Sequence, residues 1–151
     1  MTETVTLVGA GPGGAELLTR GGGAALRQAD AVVYDRLVDE SILDLIPKGA
    51  ERICVGKKMG HHPVPQDEIN ALLVRLARQG KRTVRLKGGD CYLFGRGGEE
   101  CEYLKAHGVP FRVLPGVTSA LAAPAFAGIP VTHRDFCSSV HIVTAHARAG
   151  K

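Results

Sequence analysis

The chain has no tryptophan, and its three Tyr and four Phe bring aromatic residues to only 5%. Nucleic acid held in single strands is gripped largely by bases stacked on aromatic side chains, so this scarcity argues against an RNA- or DNA-binding module. No stretch of about 18 apolar residues occurs, and without one no helix is expected to cross a membrane. The segment Met1–Val8 lacks a basic start followed by a long apolar run, so no secretory signal is expected. Cysteine is sparse: Cys54, Cys91, Cys101 and Cys137 include no C-x-x-C pair. No Cys–His set has zinc-ligand spacing, and the adjacent His61 and His62 lack the i,i+4 offset of a helical metal pair, so no metal is expected. These absences together predict a cytoplasmic protein working in a reducing compartment.

Glycine, by contrast, is abundant, with 20 in 151 residues, and it is clustered. Clustered glycine predicts loops with tight or positive-φ backbone. A chain with 44% hydrophobic and 23% charged residues has the composition of a globular domain with a real core. The formal charge of +4 suits an anionic partner without naming one.

Short apolar runs alternate with helical patterns. Val5–Val8, Ala31–Tyr34, Ile53–Val55, Thr83–Leu86 and Phe111–Leu114 are rich in Val, Leu or Ile, as parallel strands buried on both faces are. After Pro65, Ile69, Leu72, Leu73 and Leu76 fall at i, i+3, i+4 and i+7, one apolar stripe of a helix that Gly80 is placed to stop. Further helices are expected from about Gly97 to His107 and from about Thr118 to Ala127. In the first helical stretch, about Ala15 to Gln28, Gly21-Gly22-Gly23 predicts a weak or broken helix, each interior glycine costing up to about 1 kcal/mol relative to Ala. This alternation predicts an α/β domain: a mostly parallel five-stranded sheet with helices on both faces. The domain is expected over residues 1–136. Residues 137–151, through the strand-like SSVHIVTA of Ser138–Ala145, are expected to begin the first strand of a second domain.

Four loops carry candidate chemistry. Gly9-Ala10-Gly11-Pro12-Gly13-Gly14 satisfies G-x-G-x-x-G, although Pro12 removes an N–H and fixes φ inside the loop. Lys87-Gly88-Gly89-Asp90 follows the fourth strand, at the edge where open α/β sheets bind ligands. Asp35 and Lys57 follow the second and third strands, so both should face the same edge and could exchange protons with a substrate. Pro115-Gly116-Val117-Thr118-Ser119 turns from the fifth strand into a helix that Thr118 or Ser119 could cap, or they could hold a ligand. Arg20, Arg36, Lys57, Lys58, Arg85, Lys87, Arg96 and Arg134 gather near these loops, as a cationic rim for a ligand with several carboxylates would.

In combination these stretches resemble one family. VGAGPGG, YDRLV, VGKKMGHHPVPQDEIN, RLKGGD, FGRGGEE and PGVTSALAAPAFAGIPVTHRD stand in the order found in uroporphyrinogen-III C-methyltransferases, from about Val5 to His146. The resemblance implies a tetrapyrrole methylase fold of two α/β domains with S-adenosyl-L-methionine (SAM) between them. It implies a homodimer that methylates C-2 and C-7 of uroporphyrinogen III to precorrin-2, towards sirohaem and cobalamin, and releases S-adenosyl-L-homocysteine. By position, Pro12, Gly88, Gly89, Asp90, Leu93, Thr118 and Ser119 match cofactor-binding residues. Asp35 matches the proton acceptor and Lys57 the proton donor, and Arg36, Arg96 and Arg134 are the expected substrate contacts. The pattern departs from the family at Cys91, where proline is usual, at Tyr92, where Phe is usual, and at Gly21–Gly23. Losing the proline should relax the loop and add an N–H.

Two readings from other classes make different predictions. A dinucleotide-binding oxidoreductase domain would use Gly9–Gly14 and take NAD. A nucleic-acid-binding relative would show affinity that falls steeply with salt.

Overall fold

The computed structural model describes residues 1–56 and 64–145. Five strands form one parallel sheet in the order β3-β2-β4-β1-β5. They are β1 (Val5–Gly9), β2 (Ala31–Tyr34), β3 (Glu51–Cys54), β4 (Thr83–Lys87) and β5 (Phe111–Leu114). Each joins its neighbour in parallel register, for example Tyr34 opposite Leu86 and Val8 opposite Leu114. The helices are α1 (Arg20–Arg27), α2 (Glu40–Leu43), α3 (Gln66–Arg78), α4 (Gly97–Ala106) and α5 (Ser119–Phe126).

Both faces of the sheet are covered, as the continuous apolar runs require. On one face Val5, Leu7, Ala31 and Val33 pack with Leu73, Leu76 and Leu104 of α3 and α4. On the other, Val8, Val32, Val84 and Leu86 pack with Leu26 of α1 and Ile42 of α2. Parallel pairing puts every strand's carboxyl end on one edge, so the loops after β1, β2, β4 and β5 share a rim.

Two expectations are corrected here. The glycine triplet does not break its helix: α1 runs through Gly21–Gly23, and the interruption falls earlier, between a single 3₁₀ turn at Ala15–Leu17 and the N-cap Thr19, whose side chain accepts the Gly22 N–H. The reason is contact with the sheet, since a Cβ on Gly22 would lie 2.9 Å from Val8 Cγ1 and 3.0 Å from Leu18 Cδ1. Residues 138–145 do not form the expected strand. They are exposed and pair with none of the five strands, and strand propensity without a ladder partner leaves the backbone hydrogen bonds unmade. The remaining expected segments form, with β3 starting two residues earlier, at the exposed Glu51.

Candidate functional site

The glycine loops are fastened to one another. Gly11 and Gly89 exchange backbone hydrogen bonds of 3.1 and 2.8 Å, which ties the β1 loop to the β4 loop. Gly89 sits at φ +63°, a left-handed conformation that an L side chain enters only with strain. Gly116, opening the β5 loop, lies so close that a Cβ there would meet the Gly9 backbone at 2.7 Å, so only glycine permits this approach.

Asp90 holds the assembly. One carboxylate oxygen accepts the N–H groups of Tyr92 and Leu93 at 2.9 and 3.1 Å, and the other accepts the Gly116 N–H at 3.0 Å. Burial pushes its carboxyl up, but the N–H groups of Tyr92, Gly116, Leu93 and Cys91 outweigh burial and hold it below its usual range. Cys91 therefore does more than relax the loop. Its N–H, which proline would lack, lies beside the Asp90 carboxylate and favours its charged form, and its side chain is fully buried.

Between these loops, the start of α5 and residues 142–145 lies a cleft of about 650 Å³. Pro12, Gly88, Gly89, Asp90, Leu93, Thr118 and Ser119, the seven expected cofactor contacts, all line it. The Thr118 hydroxyl accepts the Ala120 N–H at 3.3 Å as an N-cap, and the residue also lines the cleft. Leu37 and Phe94 also line the cleft and were missed. Their signal was available: each is a large apolar side chain in a polar carboxyl-edge loop, and they are 83% and 58% exposed. The backbone is left-handed at Phe94 and Arg96, φ 53° and 57°, a strain typical of functional loops. The walls are thus apolar, with backbone groups and hydroxyls at set points, and the volume fits a small organic ligand.

The remaining expected residues are placed differently. Asp35 is half-buried beside the cleft and accepts the Leu37 N–H at 3.0 Å. Lys57, like Lys58, lies outside the described residues. Arg36 covers Gly56, Arg96 is ion-paired with Glu99 at 2.6 Å, and Arg134 is exposed in the His133–Cys137 turn; none of the three lines the cleft. Arg85 and Lys87 do not belong to a solvent rim at all. Both are buried against Glu100, because they project from the central strand into the sheet's interior face. Among the described residues no cluster of His, Cys, Asp and Glu could hold a metal ion, and no helix is long and apolar enough to cross a membrane.

The model of the tetrapyrrole (corrin/porphyrin) methylases matches residues 4–150. The chain belongs to this methylase family. It is 59% identical over 144 residues to siroheme synthase 1 of Serratia proteamaculans (strain 568), covering 95% of this chain and 30% of that protein. It is 58% identical over 146 residues to the porphyrin biosynthesis protein HemD of Ruminiclostridium josui, covering 97% of this chain and 29% of that protein. Among solved structures, the uroporphyrin-III-C-methyltransferase of Thermus thermophilus superposes with a TM-score of 0.80 at 46% identity, covering 89% of this chain and 57% of that one. A structure of the Thermus thermophilus enzyme complexed with S-adenyl homocysteine gives 0.71 at 50% identity, covering 87% and 51%. The methylase chain thus spans under a third of its curated relatives and little over half of these structures.

The fold of this methylase also weakens the dinucleotide reading. A dinucleotide fingerprint needs its third glycine to open an α-helix whose N-terminus meets the pyrophosphate. Here Gly14 opens one 3₁₀ turn, α1 begins only at Arg20, and Gly11 is already bonded to Gly89.

Proposed function

We propose that this chain supplies the cofactor-binding half of a SAM-dependent C-methyltransferase acting on uroporphyrinogen III at C-2 and C-7 to give precorrin-2, with S-adenosyl-L-homocysteine released. One observation carries the reading: seven residues drawn from three separate loops, each matched to a cofactor contact, converge on a single cleft. The cleft fits the ligand's chemistry. Leu37, Leu93 and Phe94 offer apolar surface for a nucleoside, while backbone groups of the glycine turns and the hydroxyls of Thr118 and Ser119 offer hydrogen bonds. SAM supplies an electrophilic methyl group.

The chain's own residues do the rest. The loops must hold the reacting carbon and the methyl about 3–3.5 Å apart, in line, with water excluded. Asp35, on the same rim, is the proposed acceptor of the proton that leaves the methylated ring, and Lys57 the proposed donor. A substrate with eight carboxylates gives the exposed Arg36, Arg96 and Arg134 a role outside the cleft. Residues 1–136 form the first domain in this reading, and those from 137 lead into a second domain of the kind that the longer relatives have room for. Assembly as a homodimer and a cytoplasmic location belong to the same proposal, as does a place before sirohaem or cobalamin.

The test is calorimetric titration with S-adenosyl-L-homocysteine, on this chain and on the protein extended to its relatives' length. Saturable binding by the extended protein, with none for NAD, is expected, followed by addition of two methyl groups to uroporphyrinogen III, read by mass spectrometry. Absence of S-adenosyl-L-homocysteine binding in both proteins would overturn the reading. Binding without methylation of uroporphyrinogen III would keep the cofactor and move the substrate to another tetrapyrrole.

A further inference from the structure

The chain carries a formal charge of +4, yet cations do not line its cleft. Among the described residues that line it, Asp90 is the one ionisable side chain and Phe94 the one aromatic. The basic candidates are engaged elsewhere: Arg36 covers Gly56, Arg96 is paired with Glu99, and Arg85 and Lys87 are buried against Glu100. One carboxylate and one π face, with no cation opposing them, favour a ligand that carries positive charge.

The loop that bears both residues is tightly folded. Asp90 accepts the N–H groups of Tyr92 and Leu93, and the Gly97 N–H donates to the Cys91 carbonyl at 3.0 Å. At Gly95 the chain returns so closely that a Cβ would meet the Asp90 and Cys91 carbonyl oxygens at 2.8 and 2.7 Å. Phe94, at this bend, is left-handed with φ 53°, which costs free energy in a residue with a Cβ. Its ring gains little from the domain in return. It is 58% exposed and belongs to neither of the apolar clusters that pack on the sheet. A strained, exposed aromatic on a cleft wall fits a ligand contact better than a structural one.

We propose that Phe94 is a specificity residue for the methyl donor: its ring face, with the Asp90 carboxylate in the same loop, receives the positive sulfur of SAM and so favours SAM over S-adenosyl-L-homocysteine. This rests on SAM as the ligand of the cleft. In the transfer the S–CH3 bond breaks and a C–CH3 bond forms on the substrate ring. The S–CH3 electron pair stays on sulfur, which becomes an uncharged thioether, and the proton of the methylated carbon goes to the base, Asp35 in the reading above. The attraction between ring and cation is then gone, and the spent ligand is held less tightly. Leucine in place of Phe94 would offer comparable apolar bulk without the ring's quadrupole.

The test is calorimetric titration of the extended protein with SAM, with S-adenosyl-L-homocysteine and with sinefungin, whose ammonium puts a positive charge where the methyl sulfonium stands. Phe94→Leu should weaken SAM and sinefungin about three- to tenfold and change S-adenosyl-L-homocysteine less than about twofold. Phe94→Tyr keeps the π face and should bind all three within about twofold of wild type. Phe94→Met should show the same split as F94L, so the test does not depend on one variant folding. Equal losses for all three ligands in F94L and F94M, or no loss for any, would overturn the proposal while leaving SAM as the cofactor. If the extended wild-type protein binds none of the three, the cofactor reading itself fails and the specificity role falls with it.

Discussion

Replacing Asp90 by alanine should damage the cleft by loosening its loops, whatever contact to a ligand is lost with it. The carboxylate accepts three main-chain N–H groups, from Tyr92, Leu93 and Gly116, at 2.9 to 3.1 Å. A hydrogen bond to a charged group is worth about 1.5–3 kcal/mol at a dry site, and less here because water reaches a part-buried carboxylate. Taking about 1 kcal/mol for each bond, D90A should lose about 3 kcal/mol. For a chain of this size that is a fall in Tm of about 6–12 °C. Asp90→Asn keeps an acceptor for Tyr92 and Leu93 but turns an NH2 towards the Gly116 N–H, and should lose about 1–2 kcal/mol. Thermal melts followed by circular dichroism measure both. The pH dependence adds a second check. The folded carboxyl lies below its unfolded value of 3.8, so its contribution is complete above that value and is lost as pH falls towards the lowered folded value. The gap between wild type and D90A should therefore hold steady near neutrality and close in acid. A D90A protein that melts within about 1 °C of wild type yet fails to bind S-adenosyl-L-homocysteine would refute the loop-fastening account.

Two further outcomes follow from the same geometry. Gly116→Ala forces a Cβ onto the Gly9 and Gly89 backbone, so stability should fall by about 1–3 kcal/mol and ligand affinity should fall with it, both measured on purified protein. Cys91, whose thiol burial and the Asp90 charge push up to about 12, should resist alkylation in the native state while exposed Cys137 reacts; peptide mass mapping before and after denaturation reads the difference.

Much of the sheet was legible because its cause is local. Ala31–Tyr34 is apolar enough to be buried on both faces, and both it and the edge run Phe111–Leu114 form strands with the expected bounds. Once the strands are parallel, a shared rim for Gly88–Asp90, Asp35 and Thr118 follows, while the set of seven expected cofactor contacts came from the family resemblance, and the structure lines one cleft with them. The functional meaning of neighbouring basic residues was not legible. Arg85 and Lys87 look like members of the same cationic rim as Arg36 and Arg96, and only the packing of α4 over β4 separates buried from exposed. The SSVHIVTA segment shows the opposite failure: alternation and β-branching favour a strand, but a strand exists only where another supplies its hydrogen bonds.

Sequence by itself determined the order of strands and helices along the chain, the glycine turns and the set of residues that could reach a shared edge, since each depends on local periodicity and backbone freedom. Tertiary structure alone decided which loops are bolted together, that the Asp90 carboxylate is taken up by main-chain N–H groups, and that Arg85 and Lys87 lie buried against Glu100. Those outcomes depend on distances between segments far apart in the chain, and these are set only when the sheet register and the helices packed on it bring them together.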